Sequence, residues 1–153
     1  MKITAQEEYG LRILVRIARS ENARGITIPE ISQAEGLSDH NVAKLCRILR
    51  IAGFIKSSRG KNGGYLLSYP AEEINLGAAL DVLGGRLYSP EFCLTHSGNL
   101  SVCANAGECN IQSLWQLLQD SLDSLLKNLT LYDLAFATNR LSSLSQNQFA
   151  TLK

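Results

Sequence analysis

The chain has 153 residues, 45% of them apolar, a formal net charge of +1 and four cysteines, enough for one compact core with an appended element and short for most enzymes. The near-neutral total hides a division: 11 of the 15 Lys/Arg and 6 of the 14 Asp/Glu lie in residues 1–70, so the first half is basic and is the candidate for a polyanionic partner. No apolar run approaches the length that spans a bilayer and no basic-led apolar leader opens the chain. The expectation is therefore a cytoplasmic protein with no membrane partner, and in a reducing compartment its thiols read as metal, redox or packing groups rather than as disulfides.

Thr4 with Glu7 three residues on reads as a capping box, and Leu11, Leu14, Val15 and Ala18 recur at helical spacing, so a first helix is expected from about Thr4 to Ser20. Thr27 precedes Pro29, and Glu30 to Glu35 reads as a short second helix ended by Gly36. Ser38 caps a third helix, Asp39 to about Ala52, with Val42, Leu45, Cys46 and Leu49 as its buried stripe. Only Gly36, Leu37 and Ser38 separate helices two and three, the short turn of a helix-turn-helix. The second helix of such a pair enters the DNA major groove with its first turns against base edges. Here those turns carry Ser38, His40, Asn41 and Lys44, with Arg47 beyond: His40 and Asn41 suit bases, and Lys44 and Arg47 suit phosphates.

Phe54 to Ser58 and Tyr65 to Ser68 read as two short strands joined by Arg59-Gly-Lys-Asn-Gly-Gly64. A basic hairpin directly after a helix-turn-helix is a wing, and Arg59 or Lys61 at its tip suits the minor groove. A nucleotide-cradling loop is the weaker alternative, because no helix N-terminus follows the glycines. Pro70 is expected to open a fourth helix running through Ile74, Leu76, Leu80 and Leu83 to Gly84 and Gly85. Residues 86 to 109 lack periodicity and hold three of the cysteines, at Cys93-x9-Cys103-x5-Cys109. The close cysteine pairs of zinc sites are absent, so the spacing favours a polynuclear centre held by thiolates, with free or redox-active thiols as the competing reading. From Asn110, Ile111, Trp115, Leu118, Leu122, Leu125 and Leu129 repeat at alternating four and three residues, with Leu114, Leu117 and Leu126 widening the stripe. That heptad-like period calls for a partner, either the same helix of a second subunit or the chain's own domain.

The expected fold is mainly α: a winged helix-turn-helix DNA-binding domain over residues 1–84 with a small β-hairpin wing, a cysteine-bearing sensor loop over 85–109, a long C-terminal dimerisation helix region over 110–140, and a flexible tail over 141–153. An enzyme with a cysteine nucleophile is the reading from another class. Neither His40 nor His96 forms a recognisable activating pair with a cysteine.

Over roughly residues 1 to 135 the chain resembles the Rrf family of winged-helix transcriptional regulators, in particular its iron-sulfur sensors. The marks are Met-Lys-Ile-Thr4 through Tyr9, the wing Arg59-Gly-Lys-Asn-Gly-Gly-Tyr65-Leu-Leu, three cysteines before the long helix, and Thr130-Leu-Tyr-Asp-Leu134 after it. The resemblance implies a homodimer, often a repressor, that binds a palindromic double-stranded DNA operator. An iron-sulfur cluster, 2Fe-2S or 4Fe-4S, tunes its affinity in response to iron-sulfur status, redox state or nitric oxide. It also implies Cys93, Cys103 and Cys109 as cluster ligands, although the gap between the first two is longer than usual and leaves nuclearity open. Some members add a His three residues after the last cysteine, where this chain has Gln112. Others use a carboxylate from the partner's first helix at the position of Glu8, which makes Glu8 the preferred fourth ligand and His96 its rival. Cluster-free members that respond to metabolites or partner proteins give the alternative.

Overall fold

A computed structural model describes residues 3–58, 63–89, 91–107, 109–137 and 139–143. The helices are α1 (Ala5–Ala18), α2 (Ile28–Glu35), α3 (Asp39–Ile51), α4 (Leu76–Leu83), α5 (Phe92–Thr95), α6 (Asn110–Leu126) and α7 (Leu131–Ala135); the strands are β1 (Ile55–Ser57) and β2 (Tyr65–Leu67). The chain is thus mainly helical with one antiparallel hairpin, as the sequence implies.

Local chemistry starts each of the first three helices. The Glu7 N–H donates to Thr4 Oγ1 at 3.3 Å while the Thr4 N–H donates to Glu7 Oε2 at 2.7 Å. Thr27 and Glu30 repeat the arrangement at α2, and Ser38 accepts from the Asn41 N–H at α3. Each cap satisfies amide protons that the first turn leaves without carbonyl partners. Gly36 ends α2 at φ +66°, a left-handed conformation that turns the chain straight into Leu37 and Ser38.

The core is built from one stripe per helix. Ile13, Leu14 and Ile17 of α1 meet Ile31 of α2, Val42, Leu45, Cys46 and Leu49 of α3, and Ala79 and Leu83 of α4, with Ile55, Ile74 and Leu131 closing the cluster. Full burial of such a Leu or Ile contributes about 2 kcal/mol each. The close approach of α1 to α4 depends on Gly10, where a Cβ would fall 2.3 Å from Leu83 Cδ2. Gln6 Nε2 also donates to the Leu83 carbonyl across this seam.

The hairpin pairs Ile55 with Leu67, Lys56 with Leu66 and Ser57 with Tyr65, and an isolated bridge joins Ile26 to Tyr65, so the linker before α2 lies on the wing as a third edge. The wing tip, which carries the expected DNA contacts Arg59 and Lys61, lies outside the described residues, as does the tail from residue 144 onward.

Two elements differ from their sequence expectations. The fourth helix begins at Leu76 rather than at Pro70, because Asn75 is its cap: Asn75 Oδ1 accepts the Ala78 N–H at 3.1 Å. Residues 70–75 instead form a turn whose end pairs with the chain beyond α6, through the Asn75–Thr130 bridge and the Leu131 N–H to Ile74 carbonyl bond of 2.8 Å. The second difference is at the far end of α6, which stops at Leu126, so Leu129 of the apolar stripe lies past its end. Asn75 Nδ2 donates to the carbonyls of Leu126, Lys127 and Leu129 at 3.0, 3.0 and 3.2 Å, filling the acceptors that a helix C-terminus leaves open. Leu126 and Leu129 then pack on the core, and Thr130 and Asp133 form a third capping box for α7.

Candidate nucleic-acid interface and cysteine loop

The burial of Val42, Leu45, Cys46 and Leu49 turns the opposite face of α3 outward. Ser38, His40, Asn41, Lys44 and Arg47 are all exposed on it, with Ala43 half-buried among them. The side chains that the sequence nominates for DNA contact, the wing tip apart, therefore share one surface. Lys44 and Arg47 form no ion pair among the described residues, so their charges are free for phosphates. Directly beneath, Cys46 is fully enclosed, and burial pushes its thiol up to about 12. It packs as a small apolar residue and stays protonated.

The arginines of α1 have a different fate. Arg12 Nε and Arg16 Nε donate to the two carboxylate oxygens of Glu35 at 3.0 and 2.7 Å, and Arg12 Nη2 donates to the Glu35 carbonyl at 2.6 Å. The Glu35 side chain is 11% exposed. Burial works to raise its pKa, but the Arg16 and Arg12 hydrogen bonds and charges prevail and hold it below the ordinary 4.5. This clamp fixes the last residue of α2 on α1, directly before the turn into α3. Glu8 stands one turn before Arg12, exposed and with no ion pair among the described residues, at the rim of an open cleft of about 380 Å³ shared with Leu11, Val15 and Leu134.

The loop after α4 is seated at its start and open beyond. Arg86 bridges Asp81 of α4 and Asp123 of α6. Two residues on, the Tyr88 N–H donates to Gln119 Oε1 at 3.0 Å, and Gln119 Nε2 donates to Asp123 Oδ1 at 2.8 Å. Tyr88 and Gln119 are each 4% exposed. The Tyr88 hydroxyl lies 3.8 Å from Cys93 Sγ on α5. Burial first, then the Cys93 and Cys109 thiols, push the Tyr88 hydroxyl above its ordinary value. Cys109 itself accepts the Gln112 N–H at 3.4 Å and caps α6.

Of the three expected ligand cysteines, Cys93 thus meets the Tyr88 hydroxyl, while Cys109 acts on that hydroxyl through its charge alone. Cys103 begins a separate turn, its carbonyl accepting the Ala106 N–H. Among the described residues no three His, Cys, Asp or Glu side chains are grouped closely enough to hold a metal ion. All four cysteines are free, and the three in the loop are half-buried. His96 is stacked on Phe92 at 3.8 Å between ring centroids, with Nδ1 2.9 Å from the Phe92 carbonyl and from Thr95 Oγ1.

Sequence reasoning did not single out Gln119, Tyr88 or Asn75. Gln119 carried a readable signal, since it falls on the apolar face of α6, four residues after Trp115 and three before Leu122. Toward its N-terminus α6 leaves large apolar side chains exposed among the described residues: Ile111 is 61% exposed and Leu117 62%. Among the described residues no helix is long and apolar enough to cross a membrane.

A family profile described as Rrf2, iron-dependent transcriptional regulator, matches residues 3–137. Protein rrf2 of Nitratidesulfovibrio vulgaris is 32% identical over 134 residues, covering 88% of this chain and 87% of that protein. The regulator IscR of Escherichia coli is 28% identical over 134 residues, 88% of this chain and 80% of its own. A solved structure of CymR, titled the global cysteine regulator of Bacillus subtilis, superposes with a TM-score of 0.69 at 30% identity over 88% of this chain and 96% of that one. With the outward face of α3, the hairpin beside it and a profile match from end to end of the described helices, the chain belongs to the Rrf2 family of transcriptional regulators.

Proposed function

We propose that the protein is a homodimeric DNA-binding regulator whose operator affinity is switched at the cysteine loop by an iron-sulfur cluster. The observation that carries this is the placement of two sites on one packed body: an exposed polar and basic face on α3, and half-buried free thiols on the loop between α4 and α6. The donor set fits such a group in kind, being three half-buried sulfurs free of disulfides, one of them against the Tyr88 hydroxyl. Cys93, Cys103 and Cys109 are the residues that would hold it, with Glu8 of a second copy as the fourth donor, since Glu8 is exposed and uncommitted. Bound there, an iron-sulfur cluster supplies a centre that oxidants, nitric oxide or iron shortage alter.

The chain's own residues carry the consequence toward DNA. Arg86 ties the loop's first residues to α4 and α6, Leu83 of α4 lies against Gly10 of α1, and α1 packs on α3. His40 and Asn41 face base edges and Lys44 and Arg47 face phosphates, joined by Arg59 and Lys61 of the wing tip. The exposed α6 face is covered by the same face of a second subunit, whose two-fold axis presents two α3 helices to a palindromic operator. A tenfold change in affinity requires about 1.4 kcal/mol of difference between the two loop states.

Anaerobic purification with iron and acid-labile sulfide analysis, and visible spectra with and without duplex DNA, test this reading. The expected result is a coloured dimer whose DNA affinity changes when iron is removed. A colourless protein that takes up no iron on reconstitution overturns the cluster. The second reading, a cluster-free regulator that responds to thiol oxidation, zinc or a metabolite, is favoured by the close fold match to a cysteine regulator. Alanine substitution of Cys93, Cys103 and Cys109 without effect on iron content would select it.

A further inference from the structure

We infer that Gln119 is the residue that seats the cysteine loop on α6 and so sets where Cys93 lies. This rests on the loop being the switch. Gln119 is the one fully buried side chain described on α6, whose other residues are exposed or half-buried, and a carboxamide in such a place is costly unless both its ends are bonded. Both are: Oε1 accepts the Tyr88 N–H, and Nε2 donates to Asp123. Among the described hydrogen bonds the other α6 side chain that meets the loop's main chain is Ser113, whose hydroxyl donates to the Cys109 carbonyl at the helix's own cap, and Gln119 is the one that reaches the loop's start.

The position along the chain gives the bond its leverage. Tyr88 follows Arg86, which Asp81 and Asp123 hold from two helices, and precedes α5 with Cys93. The bond anchors the point from which the Tyr88 ring projects, burial at 4% exposure restrains that ring, and the ring carries the hydroxyl that meets Cys93. Cys103, in its own turn, has no such tether among the described residues. Gln119 therefore positions one thiol of the loop and leaves another free to move, and it does so through Asp123, which also holds Arg86.

The test uses the full-length, metal-free, reduced protein and follows alkylation of each cysteine by iodoacetamide with peptide mass spectrometry. Gln119→Leu removes both bonds with little change in volume. Cys93 should react about fivefold faster, the factor that a typical hydrogen bond is worth, while Cys103 keeps its rate. Gln119→Glu should do the same or more, because it sets two carboxylates where the amide and Asp123 now meet. Adding Asp123→Asn to Gln119→Glu restores a donor between the two positions, leaves an amide oxygen to accept from Arg86, whose other partner Asp81 is untouched, and should return Cys93 toward the parent rate, which a merely loosened fold would not do.

An unchanged Cys93 rate in Gln119→Leu overturns the inference, as does a parallel rise at Cys103 or a failure of the rescue. With reconstituted protein the same variants should retain iron while the ratio of DNA affinities with and without iron falls toward one. If the parent itself takes up no iron, the cluster reading fails and the thiol rates still decide the seat.

Discussion

The outward charges of α3 can be weighed by salt. Lys44 and Arg47 are exposed and form no ion pair among the described residues, so in the proposed complex each would neutralise a phosphate at little internal cost. Each phosphate contact contributes about 0.9 to the slope of log affinity against log salt, so Lys44→Ala with Arg47→Ala should flatten the line by about 1.8 per subunit and about 3.6 for a dimer that seats both helices. Over a fourfold rise in salt the parent dimer then loses about two decades of affinity that the variant does not lose, and a monomer about one. Because counterion release is indifferent to sequence, fluorescence anisotropy on an arbitrary labelled duplex suffices, and no operator need be known. Arg16→Ala is the control: it also removes one positive charge, but its guanidinium belongs to Glu35 and the slope should barely move. Parallel lines for the parent and the double variant would refute the assignment of α3 as the DNA-facing helix.

Glu35→Gln should cost about 1–2 kcal/mol at neutral pH, the lower part of the range for charge-assisted pairs, because Arg12 and Arg16 are 39% and 41% exposed and water screens them. The native Glu35 pKa is depressed, so its contribution is present above the ordinary 4.5 and is lost as pH falls through the lower native value. Urea unfolding should thus show parent and variant drawing together below pH 4.5, and a constant gap would contradict the pairing. Gly36→Ala forces a Cβ into φ +66° and should cost about 1–2 kcal/mol, with Gly36→Asn milder, read as a lowered urea midpoint at unchanged slope.

What the sequence made legible is what local chemistry decides. Thr4-x-x-Glu7, Thr27-x-x-Glu30 and Ser38 fix three helix starts within a residue or two, and Gly36 fixes the turn between α2 and α3. The exposed set on α3 followed directly, because a stripe of four apolar residues dictates the opposite face. The illegible parts are those settled at long range. Pro70 was a plausible helix opening until Thr130, sixty residues away, paired with Asn75. The stripe of α6 gave no sign of where the helix stops, since the stop is made by an asparagine on another helix. α5 is a single turn within a segment of no periodicity, and its Phe92–His96 stack could not be read from composition. The meeting of Cys93 with Tyr88 sits beside a Tyr88–Gln119 bond that spans 31 residues, which spacing alone does not encode.

Cys46 lies fully enclosed on the inner side of α3. The proposed input is sulfur chemistry at the loop, and such an input requires that the same chemistry not corrode the helix proposed to read DNA. Raising one thiol beyond the reach of ionisation while leaving three others half in water achieves this by address rather than by shielding: a diffusing electrophile finds reactive sulfur only on the loop. Any substitution that opened the core around Cys46 would therefore do more than weaken the fold. It would give the same oxidant a second, unregulated point of entry.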